Sequence, residues 1–211
     1  MLTFVVVFGA VLALVLVVAS WRSDSSAPTS AAESGPPSCA PAERASWQKL
    51  ANETSSAVYC PSWLPFPLEG RFGGPYFNGR SVDPDRSYLV SFVWFERGQG
   101  LVNEVHVNLR GYPGRTRVPT CEDTRTVSGK TVRTKIPCFS DRQGKKRLGG
   151  RTVTVYTANQ GADQWHVLYA WRENGSLYTL SEHVAAPYSV DEVISHLDRM
   201  MRRLVLVPPS V

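Results

Sequence analysis

Hydrophobic and polar side chains alternate along much of the second half of the chain, a pattern that predicts antiparallel β-strands. Residues 101–110, LVNEVHVNLR, and residues 151–157, RTVTVYT, each place their apolar side chains mainly on one face. Residues 87–96, SYLVSFVWFE, are apolar on both faces, which is typical of a covered strand. Residues 126–136 predict a further hairpin with a Ser-Gly tip.

The best-specified element is a β-hairpin over residues 164–184, QWHVLYAWRENGSLYTLSEHV. The Asn-Gly pair at 174–175 predicts a type I′ turn, because both central positions of that turn require a positive φ. A two-residue turn at this point sets the register, so that the numbers of facing residues sum to 349. His166 is therefore predicted to face His183.

The two faces of this hairpin differ in polarity. The face predicted to join the core carries Trp165, Val167, Tyr169, Trp171, Tyr178, Leu180 and Val184. Glu182 is the one misfit on it. We expect the other face, which is mixed, to meet solvent or a loop. It carries His166, Leu168, Ala170, Arg172, Leu177, Thr179, Ser181 and His183.

Apolar residues at helical spacing predict two helices. Residues 41–52 begin with a proline, which suits a first helical turn, and the C-terminal helix begins with a capping box formed by Ser189 and Glu192. We expect the apolar face of the second helix to pack on the sheet. The apolar positions are Trp47, Leu50 and Ala51 in the first helix, and Val190, Val193, Ile194, Leu197, Met200, Met201 and Leu204 in the second.

The first part of the chain predicts a membrane segment followed by a tether. Residues 1–21 carry no charged side chain, and about 20 such residues span a bilayer as a helix. We interpret them as an uncleaved anchor, because no Lys or Arg precedes the apolar run; a cleaved secretory signal is the alternative. Residues 22–38 are rich in Ser, Ala and Pro and predict a disordered linker. Residues 39–211 are then one extracytoplasmic domain.

The four cysteines, Cys39, Cys60, Cys121 and Cys138, all follow the apolar leader. Spaced cysteines beyond an export segment predict two disulfide bonds in an oxidising compartment. Three pairings are possible. We favour Cys39 with Cys60 and Cys121 with Cys138, because each of these bonds closes a short loop. Four buried, reduced thiols are the alternative.

The net charge of +5 is concentrated in one place. Residues 142–151, RQGKKRLGGR, predict a basic loop, and Lys145, Lys146 and Arg147 are its candidate binding residues. Such a loop can contact anionic lipid, a cell-wall polymer or an envelope protein. A merely solvated loop is the alternative. Nucleic acid is not an expected partner, because an exported domain rarely meets it.

His166 and His183 are the candidate binding pair on the hairpin. Two imidazoles are too few for a stable zinc site, and the only other attractive donors are His106 and Glu104, whose position the sequence does not reveal. We therefore expect no metal and no cofactor. Facing imidazoles predict a pair that titrates together. Two ordinary, half-exposed sheet histidines are the alternative.

Catalytic motifs are missing from the sequence. It contains no G-x-S-x-G nucleophile motif, and GQGLVN, at residues 98–103, lacks the third glycine and the following helix of a phosphate-binding loop. We therefore predict that the protein is not an enzyme. A cleft that gathers His106 with a carboxylate and a serine would instead indicate a hydrolase.

Three segments resemble a group of uncharacterised bacterial domains found in exported proteins and behind anti-sigma-factor anchors. The segments are CPSWLPFPLEG with its Leu64-Pro65 pair, the aromatic hairpin from Trp171 to Tyr178, and the closing helix VDEVISHLDRMMRRL. The resemblance implies a fold like that of lipoprotein carriers, in which helices pack against a curved antiparallel sheet. It also implies a non-enzymatic module of the cell envelope.

The expected fold class is thus α+β, with a curved antiparallel β-sheet, a C-terminal helix packed on it and an N-terminal transmembrane helix. The expected protein crosses the membrane once and holds its domain outside the cytoplasm, or is secreted if the leader is cleaved. Binding or sensing is the first expected role. A structural or assembly role in an envelope complex is the second, and a hydrolase with an unrecognised site is the third.

Overall fold

The computed structural model describes residues 35–68, 77–98, 101–158 and 165–210. The predicted anchor and most of the predicted linker lie outside these residues. Within them, neither helix has the length and the apolar character that a membrane span requires.

Both helices begin where the sequence predicts. Helix α1 has proline at its first position, and Ser189 and Glu192 form the predicted capping box of helix α2. The strands alternate with short turns along the described chain, and the class is α+β. The elements are α1 Pro41–Thr54, β1 Val58–Pro61, β2 Phe77–Val82, β3 Tyr88–Gly98, β4 Leu101–Tyr112, β5 Thr120–Val127, β6 Lys130–Pro137, β7 Arg142–Leu148, β8 Arg151–Ala158, β9 His166–Glu173, β10 Ser176–His183, α2 Val190–Arg202 and β11 Leu204–Val207.

Seven antiparallel strands form the main sheet, in the order β2-β3-β4-β10-β9-β8-β7. The hairpin β9–β10 lies in its interior, with β4 on one side and β8 on the other. The described residues also contain two smaller sheets, β1–β11 and β5–β6. Helix α2 packs against β7, β9 and β10, and helix α1 packs against β1 and β11.

The register of β9 on β10 is the predicted one. Asn174 and Gly175 have φ values of 50° and 72°, as a type I′ turn requires. His166 lies opposite His183, and Trp171 lies opposite Tyr178. The local chemistry of one turn therefore determines which side chains of the hairpin face helix α2.

The face toward α2 forms the main core, with one exception to the prediction. Trp165 is 65% exposed, because it precedes β9 and has a φ of 63°, so the strand alternation does not extend to it. Val184, just beyond β10, is partly buried against the core. The predicted hairpin residues that are fully buried here are Val167, Tyr169, Trp171, Tyr178 and Leu180.

The opposite face is more buried than predicted. Leu168, Ala170 and Leu177 pack with Phe139, which follows β6, in a second apolar cluster. The prediction that a loop covers this face is thus confirmed at Phe139. The alternative, that this face meets solvent, is wrong for Thr179 and Ser181, because both are buried.

The C-terminal helix ends earlier than the apolar periodicity predicts. Helix α2 ends at Arg202, and Leu204 begins strand β11, which pairs with β1. Val190, counted among the apolar helix positions, is 49% exposed because it is the first residue of the helix. The segment CPSWLPFPLEG therefore begins within strand β1, whose partner is β11.

Both favoured disulfide bonds are present. The bond between Cys39 and Cys60 joins the segment just before helix α1 to strand β1. The bond between Cys121 and Cys138 closes the open end of the β5–β6 hairpin. The described structure contains no free cysteine, so the alternative of four reduced thiols is wrong.

Glycine is required at position 111 of the sheet because the Tyr88 ring packs closely against its backbone. Gly111 lies opposite Tyr88, and a Cβ atom at this position would overlap the buried Tyr88 ring. We expect Gly111→Ala to lower the free energy of unfolding by about 1–3 kcal/mol, because a filled core resists added volume. Urea denaturation followed by tryptophan fluorescence measures this loss.

Gly144→Ala is the matched control, since a Cβ atom at Gly144 has no neighbour within 4 Å. This substitution should change the free energy of unfolding by less than about 0.5 kcal/mol. Equal stabilities of the two variants would contradict the packing of Tyr88 over Gly111.

Candidate functional site

The basic segment predicted to be a loop is instead strand β7, at the edge of the main sheet, followed by a Gly149-Gly150 turn. The loop prediction was wrong because the segment contains few apolar residues, and only its pairing with β8 makes it a strand. Its side chains alternate between the two faces of the sheet. Lys145 lies opposite Thr154, and Arg147 lies opposite Thr152.

Lys146 lies on the other face from its two basic neighbours. Its register partner is Val153, a core residue, and its Nζ atom is 3.0 Å from the Tyr169 hydroxyl and 3.1 Å from Asp198 Oδ1 on helix α2. Burial, followed by the hydrogen bond to Asp198, raises the pKa of Tyr169, so this hydroxyl remains a donor. Lys146 therefore joins the sheet to α2, whereas Lys145 and Arg147 are exposed.

A groove of about 580 Å³ opens beside Lys145 and the Gly149-Gly150 turn. Arg172 on β9 contributes a third cation to its lining, and threonine side chains lie between the charged residues. The described lining consists of Lys145, Gly149, Gly150, Arg151, Thr152, Thr154, Arg172 and Glu173. It is mainly polar and contains three cationic side chains and one carboxylate.

The carboxylate of this groove is already engaged. Glu173 Oε2 accepts hydrogen bonds from Arg151 Nε, at 3.1 Å, and from the Tyr59 hydroxyl. Burial, followed by the contact with Glu173, raises the pKa of Tyr59 to about 12, so the hydroxyl keeps its proton at neutral pH. The charges of Arg151 and Glu173 offset each other, which leaves the positive charge of the groove on Lys145 and Arg172.

A second, smaller groove of about 390 Å³ lies next to Arg172. Arg172 Nε donates a hydrogen bond to the carbonyl oxygen of Thr116, at 2.5 Å, and Thr116 lines this second groove. Its described lining is Arg115, Thr116, Arg117, Val118, Pro119 and Thr120. Arg172 thus links the two grooves.

The predicted histidine pair lies further along the same face of the sheet. The rings of His166 and His183 are stacked, with centroids 5.1 Å apart, and His106 on β4 lies 5.1 Å from the ring of His166. Glu104 Oε1 is 3.3 Å from His106 Nδ1 and 3.4 Å from His183 Nδ1. The pairing of β4 with β10 unites these donors. His166 is only 4% exposed, which excludes the half-exposed alternative for it.

This cluster does not have the arrangement of a nucleophile and its base. His106 Nε2 lies 3.0 Å from Asn108 Oδ1, and Ser91 Oγ donates to the same oxygen, at 2.5 Å. The amide therefore lies between the serine and the imidazole, whereas nucleophilic catalysis needs them in direct contact. Across the described part of the chain, no group of three or more His, Cys, Asp or Glu side chains is arranged to hold a metal ion.

Glu182, the misfit on the core face, finds its partner on helix α2. Its Oε1 atom is 2.8 Å from His196 Nδ1, and its side chain is 1% exposed. Burial raises the pKa of Glu182, and the contact with His196 opposes that shift. The contact is thus a polar link between sheet and helix inside the core.

Three residues that line the groove had no predicted role: Arg172, Thr152 and Thr154. A signal for them existed, since Arg172 lies on the mixed face of the predicted hairpin and both threonines alternate with the inward valines of β8. The missing information was the pairing of β7 with β8 and of β8 with β9.

Comparisons with known proteins return nothing similar: no family model, no curated protein and no solved structure matches the chain. Proposals about the site therefore depend on its geometry and chemistry.

Adjacent lysines on opposite faces provide a test of this description. We expect Lys146→Ala to lower the free energy of unfolding by about 0.5–1 kcal/mol, because it removes an ion pair with Asp198 that solvent only partly screens. Lys145→Ala should change it by less than about 0.5 kcal/mol. Chemical denaturation of both variants makes the comparison, and an equal loss in both would contradict the assigned faces.

The raised pKa of Glu182 predicts a pH dependence. A carboxyl group with a raised folded-state pKa stabilises the fold below its ordinary pKa of 4.5, and this contribution is lost as the pH rises through the folded-state pKa. Glu182→Gln retains an oxygen that can accept from His196 but carries no charge. We therefore expect its stability relative to wild type to increase as the pH rises from about 4.5 to about 7.

Glu192→Gln is the contrasting variant, since hydrogen bonds from Ser189 lower the pKa of Glu192. The Glu192 carboxylate therefore stabilises the fold above its ordinary pKa, and this stabilisation is lost as the pH falls. Relative to wild type, Glu192→Gln should thus be least stable near neutral pH. Denaturation midpoints at three pH values measure both trends. A Glu182→Gln variant whose stability follows wild type at every pH would refute a buried charge at this position.

Proposed function

We propose that residues 39–211 are an extracytoplasmic binding or sensing module, held at the membrane by residues 1–21, that takes an anionic ligand in the groove beside β7. The observation that carries this proposal is the uncompensated charge of that groove. Lys145 and Arg172 line it, Arg147 adjoins it on the same face, and Glu173, the one carboxylate among the described lining residues, is engaged by Arg151 and Tyr59. Positively charged concave surfaces attract and concentrate anions.

The disulfide bonds support the proposed location. Each bond joins cysteines close in sequence, with separations of 21 and 17 residues, and such bonds persist in oxidising compartments. The apolar character of residues 1–21 supports an export or anchor segment. The resemblance to bacterial domains outside the cytoplasm agrees with the same proposal.

The chemistry of the groove supports binding rather than catalysis. Its cations and threonine hydroxyls are hydrogen-bond donors, and donors of this kind recognise phosphate and carboxylate groups. Glu173, the only described carboxylate of the lining, already accepts two hydrogen bonds. We therefore propose a non-enzymatic role.

A structural role in an envelope complex is the second candidate, and the β5–β6 hairpin favours it. This hairpin pairs with no other described strand, and Val127 and Val132 on it are exposed apolar side chains. The bond between Cys121 and Cys138 holds its base together. An exposed two-stranded arm offers free strand edges on which a partner chain can add a strand.

Calorimetry with inorganic tripolyphosphate tests the binding proposal on the full chain in a non-ionic detergent. We expect Lys145→Glu and Arg172→Glu each to weaken binding about tenfold or more, because each variant replaces an attractive charge with a repulsive one. Lys130→Glu, which makes the same change at the start of β6, is the control and should bind as wild type does. Wild-type protein that does not bind, or a control that loses affinity equally, would overturn the proposal.

A further inference from the structure

The groove beside β7 continues into a longer basic surface. We call this surface the basic tract and define it by Lys145, Arg147, Arg172 and Arg117. Arg172 lines the first groove, and its hydrogen bond to the carbonyl of Thr116 places it against the wall of the second groove, which Arg117 also lines. The tract therefore extends from the edge strand to the segment between β4 and β5.

The cationic side chains at both ends of the tract are exposed to solvent and are not neutralised by described acidic residues. Lys145, Arg147 and Arg117 are exposed and form no ion pair with any residue that the structure describes. Arg115, the neighbour of Arg117, is different, since its guanidinium lies 2.7 Å from Asp85. The second groove therefore offers Arg117 as its unpaired cation.

The charges of the tract are carried on backbone segments that lie well apart in the sheet. Arg147 on β7 and Arg172 on β9 are separated by strand β8, and neighbouring strands lie about 4.8 Å apart, so their backbones are about 10 Å apart. Arg117 follows Thr116, whose carbonyl oxygen accepts the hydrogen bond from Arg172, and it lines the second groove. A compact anion can contact one end of the tract, whereas a linear anion can contact both.

We propose that the basic tract binds a linear polyanion with repeating phosphate groups, which crosses β7, β8 and β9 and continues past Arg172 to Arg117. This inference rests on the proposed function and specifies its ligand. Arginine forks and threonine hydroxyls both suit phosphate oxygens. Two grooves linked by a side chain accept a polymer strand, whereas a lipid surface presents its headgroups in a plane. An anionic polymer of the cell envelope is thus the proposed source.

The test compares phosphate chains of different length on the full chain in a non-ionic detergent. The probes are tripolyphosphate and inorganic polyphosphate of about 15 phosphates, each at equal total phosphate. We expect the long chain to bind at least tenfold more tightly, because it can contact Lys145 and Arg117 at the same time. Arg117→Glu should remove that advantage and leave the affinity for tripolyphosphate unchanged, whereas Lys145→Glu should weaken both. Lys130→Glu, outside the tract, should alter neither.

The salt dependence provides a second measurement. Removal of one cationic side chain that binds a phosphate should reduce the slope of log affinity against log salt by about one, so Arg117→Glu should show a smaller slope for the long chain only. Near-UV circular dichroism of each variant reports whether the fold is retained, and a variant with an altered spectrum is replaced by the corresponding alanine variant.

Three results would overturn the inference in distinguishable ways. Equal affinity for both probes would leave the anion-binding function intact and exclude a linear ligand. Binding to neither probe would remove the proposed function as well. Stronger binding to phosphatidylglycerol vesicles than to vesicles of neutral lipid, without any advantage of the long phosphate chain, would assign the tract to a membrane surface.

Discussion

The core and the basic groove both follow from the register of the central hairpin β9–β10. Side chains alternate along a strand, so a shift of one residue would exchange the two faces of the hairpin. The observed register directs Tyr169 and Trp171 into the core with helix α2 and leaves Arg172 on the opposite face. The Asn-Gly turn at 174–175 fixes this register through two positive φ values. Core packing and the charge of the groove therefore have the same local origin.

Polar contacts at Glu182 and at Lys146 join the sheet to helix α2. The carboxylate of Glu182 meets His196 inside the core, and Lys146 meets Asp198 nearer to solvent. Polar groups in a core are tolerated when they have such partners. Because Lys146 points toward helix α2 and strand side chains alternate, the neighbouring Lys145 projects from the other face of the edge strand. An exposed lysine on an edge strand also discourages pairing with another chain, so this position is compatible with solubility as well as with binding.

The sequence predicted the elements whose signals are local. The hairpin register, the capping box of α2 and the two short-range disulfide bonds were all confirmed. The sequence did not predict contacts between distant segments, because alternation does not identify the partner of a strand. The pairing of β1 with β11 joins opposite ends of the domain, and the pairing of β4 with β10 brings His106 to the His166–His183 pair. The basic segment was predicted as a loop for the same reason, and Trp165 was misplaced because a positive φ ends the alternation there.

The β9–β10 register separates an apolar face packed on α2 from a basic face, which is the proposed anion-binding surface. The most direct test is to measure cross-strand backbone proton contacts in this hairpin by nuclear magnetic resonance. The described structure predicts contacts between residues whose numbers sum to 349, including Ala170 with Thr179 and Leu168 with Ser181. Contacts between residues whose numbers sum to 348 or 350 would turn Arg172 toward the core relative to β10, and the separation of the two faces would then be wrong.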